Sequence, residues 1–136
     1  MEQPKNLDEI VDLLITQIKA QEGAEDYVKK NGIDHHGAGT AIRNGFNLWW
    51  SEKLRDDVLE RDPDSDYPKE RPELVAWFNS LNIYHADDMS GTISEAVKAK
   101  LNDEPFDIDK HIKRYFSHWK KHGFKDGIFK EENKIK

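Results

Sequence analysis

The chain has 136 residues, no cysteine, 35% charged residues and a formal net charge of −6. That length fits one domain able to bury roughly two-thirds of its unfolded surface. The missing cysteines exclude disulfides and thiolate metal sites, no apolar run approaches the ~20 residues of a membrane span, and the opening Met1-Glu2-Gln3-Pro4-Lys5-Asn6 has no basic-then-apolar leader pattern, so the expected location is cytoplasmic with no membrane contact.

Asn6 opens a helix over about residues 7–22: its side chain accepts from a first-turn N–H, and Glu9 reaches back as in a capping box. Ile10, Val11, Leu14, Ile15 and Ile18 give that helix one apolar stripe. Gly23 ends it. A short helix over 24–31 follows, with Tyr27 and Val28 as its inward pair and Gly32 as a left-handed cap.

The next stretch is His35-His36-Gly37-Ala38-Gly39-Thr40-Ala41-Ile42-Arg43-Asn44-Gly45-Phe46-Asn47-Leu48-Trp49-Trp50, the densest mixture of unusual backbone, titratable groups and large aromatics in the chain. Gly37 and Gly39 put the histidines on a tight loop. A helix starting near 38–40 and running to about 60 places Ile42, Phe46, Trp49 and Trp50 on one broad face, with Arg43 and Asn47 on its flank. Gly45 in mid-helix costs about 1 kcal/mol relative to Ala, which predicts a close approach of another segment there. One of Trp49 and Trp50, and one of Trp77 and Phe78, is expected to stay partly exposed, because helical neighbours diverge by ~100°.

Residues 61–72 carry three prolines and read as an extended surface loop anchored by Tyr67. Pro72 opens a helix with Leu74, Val75, Trp77, Phe78 and Leu81, and Asn82 caps its end. Asp87 or Asp88 is the expected N-cap of a helix to about 101 that packs through Met89, Ile93, Ala96 or Val97, and Leu101. Asp107 caps a last helix whose Ile108, Ile112, Tyr115, Phe116 and Trp119 make the cleanest stripe, closed by Gly123. Without alternating strands or repeats, the reading is all-α: a compact single-domain bundle of five or six helices over 1–123, with residues 124–136 a basic tail that Phe124, Ile128 and Phe129 can pin back.

Charge is divided unevenly. From Lys110 onward there are nine Lys/Arg against three Asp/Glu, net +6; before it, twelve stand against twenty-four, net −12. The basic end has two uses, its own acidic body or an acidic partner, and solvated or self-neutralising charge is the commoner case. An acidic body argues against a nucleic-acid binder, which needs a coherent basic face.

Two motifs stand out: His-x-Gly-x-Gly-x-x-Ile-Arg-Asn with a following Leu-Trp, and Ile83-Tyr84-His85-Ala86-Asp87-Asp88-Met89-Ser90. With the opening Pro4-Lys5-Asn6-Leu7-Asp8-Glu9, they make the chain resemble a family of small bacterial and phage proteins known only as a domain of unknown function. The resemblance implies a shared fold and no activity, and residues 51–72 and the C-terminal extension depart from its pattern.

His35, His36, Arg43, Asn44, His85, Asp87 and Asp88 are the candidate binding residues, expected to converge where the two motifs meet. Arg43 suits bidentate grip on a carboxylate or phosphate, with Asn44 orienting it. A histidine, His35 or His85, suits proton transfer. The structural alternative is the more economical: Arg43 pairs with Asp87 or Asp88 and ties two helices together, while the histidines hydrogen-bond backbone. His35, His36, His85, Asp87 and Asp88, or the i, i+4 pair His118 and His122 with His111, are acceptable ligand types but lack diagnostic metal spacing, and Gly37-Ala38-Gly39-Thr40 lacks the Lys-Ser/Thr ending of a phosphate loop. No cofactor or metal is expected. The expected function is a non-enzymatic binding or interaction module for a protein partner or self-association. The rival is a small hydrolase or transferase acting on an anionic substrate.

Overall fold

The computed structural model describes residues 3–34, 36–130 and 134. Among them the chain forms seven α-helices: α1 (Leu7–Lys19), α2 (Ala24–Asn31), α3 (Ala38–Gly45), α4 (Glu52–Arg61), α5 (Glu73–Ser80), α6 (Ala86–Leu101) and α7 (Ile108–Lys121). A 3-10 turn over Lys125–Gly127 follows, and the described residues contain no strand. None of these helices is long and apolar enough to cross a membrane.

The count exceeds five or six because the single helix expected over 38–60 is two. Asn47 takes a left-handed φ of 55°, which a continuing helix does not accommodate. Ser51 then starts α4 afresh, its hydroxyl accepting from Leu54 N at 3.0 Å. Gly45 is therefore the last residue of α3 rather than a mid-helix packing point, and a Cβ there would meet nothing within 4 Å. Asn6 does cap α1, accepting from Glu9 N at 3.0 Å. That helix stops at Lys19, a few residues before Gly23.

α6 is the axis of the fold. α1, α2, α3 and α7 all pack on it, and its Met89, Ile93 and Val97 are completely enclosed with Ile10 of α1 and Phe78 of α5. Gly91 lets α7 come close: a Cβ there would lie 2.5 Å from the Tyr115 hydroxyl. Tyr27 is not the inward residue expected. It is 48% exposed because its hydroxyl turns outward to donate to Asp34 Oδ1 at 2.7 Å.

The 61–72 loop is held from outside itself. Trp50 Nε1 donates to the Pro68 carbonyl at 2.8 Å, Arg55 Nη1 donates to that of Lys69 at 3.0 Å, and the guanidinium groups of Arg55 and Arg71 lie over the Trp50 ring. Tyr67 is only half-buried. Beyond α7, Phe124 is buried, and Phe124 and Phe129 stack on Trp119 with ring centroids 5.2 and 4.6 Å away.

Candidate functional site

α3 and the start of α6 meet around the Arg43 guanidinium, which is 5% exposed. Nη1 donates to Ser90 Oγ at 2.8 Å, Nη2 to Thr40 Oγ1 at 3.0 Å, and Nε lies 3.5 Å from Asp87 Oδ1. Asp87 and Ser90 are three residues apart on one helix and so share the face turned to α3. The segment before α3 is fastened to the same helix. Ile33 N donates to Ser94 Oγ at 2.9 Å, and Gly39 N donates to the Asp34 carbonyl at 2.6 Å. A Cβ on Gly39 would stand 2.7 Å from that carbonyl oxygen and 3.2 Å from Arg43 Nη1. Only glycine lets loop and guanidinium share this space.

His85, not Asp87 or Asp88, is the N-cap of α6. Its Nδ1 accepts from Asp87 N at 3.0 Å, which fixes the neutral ring with its proton on Nε2. Among the described residues Nε2 has no hydrogen-bond partner. The ring is boxed by aromatics instead: Trp49 at 5.3 Å, Trp119 at 5.5 Å and Phe129 at 4.9 Å between centroids. Asp87 and Asp88 are left in the first turn, where carboxylates favour the positive end of the helix dipole.

Asp88 turns the other way, toward α7. It is buried and accepts from Trp119 Nε1 at 2.6 Å. Burial pushes its carboxyl above the usual range; the Trp119 hydrogen bond and the nearby His85 and His118 pull back, and Asp87 adds to the rise. A raised folded pKa means the folded state holds the proton longer than the unfolded one. The group therefore contributes stability below the ordinary carboxylate value, and that contribution is lost as pH rises through the folded value. Asp88→Asn keeps an acceptor for Trp119 and carries no charge. Its melting temperature should rise relative to the parent between about pH 4 and pH 7, and parallel melting profiles across that range would refute the shift. Elsewhere on this seam burial lifts the Tyr115 hydroxyl to about 12 and pushes the His111 imidazole below its usual value.

The expected residues thus divide. Arg43 and Asp87 come together directly, with His85 alongside through its cap on the Asp87 backbone, and Asp88 joins a separate seam to α7. Asn44 and His36 are exposed, and among the described residues the Asn44 side chain has no hydrogen-bond partner. His35 lies outside the described residues. His118 and His122 stack on each other with centroids 4.4 Å apart and are both exposed. Sequence reasoning passed over Thr40, Ser90 and Trp119 as site members, while the Trp49-Trp50 pair was marked as holding one exposed ring on a partner surface. Ser90 had a signal, since it closes the second motif. The Trp119–Asp88 bond joins residues 31 apart and had none.

What the site leaves open to solvent is aromatic. Trp49, in the connection between α3 and α4, is 47% exposed while Trp50 is buried, and Trp77 is half-buried beside the enclosed Phe78. Phe46 and Asn47, in the same connection, join Pro4, Pro68, Pro72 and Leu74 around an apolar cavity of about 390 Å³.

Compared with known proteins, the chain matches no family model, and no curated protein or solved structure matches it significantly.

Proposed function

We propose that the chain is a binding module that engages a protein partner through the surface around Trp49, with the Arg43–Asp87 contact as the fastening that keeps this surface in shape. The exposed Trp49 edge carries the reading. A large aromatic held against His85 loses little conformational freedom on binding, and tryptophan is enriched among the residues that dominate interface energy. The cavity lined by Phe46 and Asn47 is built from the same connection. The two motifs that resemble the bacterial and phage family meet here, and that family brings no activity with it.

The hydrolase or transferase reading has less support. Its anion clamp, Arg43, already directs its donors at Ser90, Thr40 and Asp87. Of its two candidate bases, His85 uses Nδ1 as a helix cap and keeps only Nε2. The module reading makes a direct demand of Trp49→Ala: because the side chain is half in solvent, melting should change by no more than about 1 kcal/mol equivalent, while affinity for the partner falls at least ~30-fold. A photo-crosslinker in place of the exposed Asn44, on the helix that leads into this connection, identifies the partner used in that titration. Unchanged affinity in Trp49→Ala would remove this surface from the function.

A further inference from the structure

The outer face of α7 is a row of cations that the fold does not use. At ~100° per residue, Ile108, Ile112, Tyr115 and Trp119 share the core side, and Lys110, Lys113, Arg114 and Lys121 lie away from it, all exposed. Among the described residues none of these four is ion-paired; ion pairs are seen instead at Lys5, Lys19, Lys29, Arg43, Arg55 and Lys100. Among the described residues the acidic body therefore makes no close ion pair with these four side chains. Glu95, Glu104 and Asp107 line the same cavity as Lys110 and Arg114, which leaves Lys113 and Lys121 as the strongest part of the row.

α4 carries the matching surface. Glu52, Asp56 and Glu60 recur every four residues, ~6 Å apart along the axis, on the side opposite Leu54 and Val58, and all three are exposed. Asp62, Asp64 and Asp66 continue the charge past the helix end. The single ion pair in this run joins Asp56 to its neighbour Arg55 at 3.0 Å. α4 buries no residue, so its acidic side is not committed to the core. Lys110 and Arg114 stand at the same four-residue interval on α7, and Lys121 lies two turns further on, which allows two such helices to lie side by side with opposite charges facing each other.

We propose that the basic row of α7 docks on the acidic row of α4 in a second copy of this chain. The contact pairs two different rows, so it closes as a two-fold pair when both rows of each copy engage the same neighbour, and builds a ring or a chain of copies when they engage different ones. A net charge of −6 on each copy repels at long range, so the attraction works only between the two rows at close quarters, and salt weakens it. The same net charge disfavours a nucleic-acid backbone as the occupant. This contact is separate from the Trp49 surface and does not rest on it.

Sedimentation of the full chain across a concentration series, at low and at high salt, tests the proposal. The expected result is a mass that rises above the monomer with concentration at low salt and returns to it at high salt. The variant K113E/R114E/K121E and the variant D56K/E60K/D64K should each remain monomeric at low salt with unchanged helical circular dichroism. Mixing them should restore assembly, because each then offers the row that the other needs, and Trp49→Ala should assemble like the parent. A parent that is monomeric throughout, assembly that survives either reversal, or failure of the mixture to assemble would overturn the proposal. So would a parent that binds a short DNA duplex through Lys113, Arg114 and Lys121 while remaining monomeric.

Discussion

Arg43→Ala is expected to lower stability by about 3 kcal/mol, near the low end of the ~3–5 found when one partner of a buried ion pair is removed. At this chain length that is a fall in melting temperature of roughly 10 °C. The size follows from what the guanidinium joins. It is enclosed at 5% exposure and reaches Ser90, Thr40 and Asp87 at once, so its removal unfastens α3 from α6 and leaves a gap beneath Gly39. The loss stays at the low end because Asp87 is half in water and can rehydrate, with 42% of its side chain exposed. Arg43→Lys should recover only part of the stability, since one ammonium cannot span the three partners that a planar fork reaches. Thermal melting of both variants checks this, and a loss below about 1 kcal/mol for Arg43→Ala would show that the fastening is not needed.

Phe78→Ala is expected to cost as much or more, about 3–5 kcal/mol, with a fall of roughly 10–15 °C. Phe78 has no exposed surface and packs edge-on against Trp77 at 5.1 Å. Its helix has eight residues and no side-chain N-cap, so α5 is held mainly by what it buries: Leu74, Val75 and Phe78. A helix that short is marginal by itself, and neighbours anchored on α1 and α6 cannot collapse far into the space left. Trp77→Ala, one residue earlier but half-exposed, should cost clearly less. Equal losses at the two positions would mean that α5 is held by its exposed side, contrary to the burial pattern.

Local signals were legible where one segment decides its own conformation. Asn6 and Asp107 accept from the N–H three residues on, Gly32 takes a left-handed φ of 74° at the end of α2, and α2 itself spans the residues its pattern marks. The reading failed where a distant partner competed. Val28 is buried as expected, but Tyr27 left the interior for Asp34. The helix expected through residue 60 broke because Trp50 is drawn to the 61–72 loop through the Pro68 carbonyl, and no periodicity records that pull. His85 took the capping place of the aspartates because the aromatic box from α7 and the segment after it holds its ring against the start of α6.

The amino-acid order by itself determined that this chain is helical, which stripes of α1, α6 and α7 face inward, and that Arg43 would need an anionic partner, because periodicity and charge act over a turn or two of chain. Only the tertiary structure decided which carboxylate that is, that Asp88 serves Trp119 instead, and that Trp49 rather than Trp50 meets solvent. Those outcomes depend on which side chains α3, α6 and α7 bring within 4 Å of one another, and the spacing of residues along one segment does not encode the surface that a distant segment will present to it.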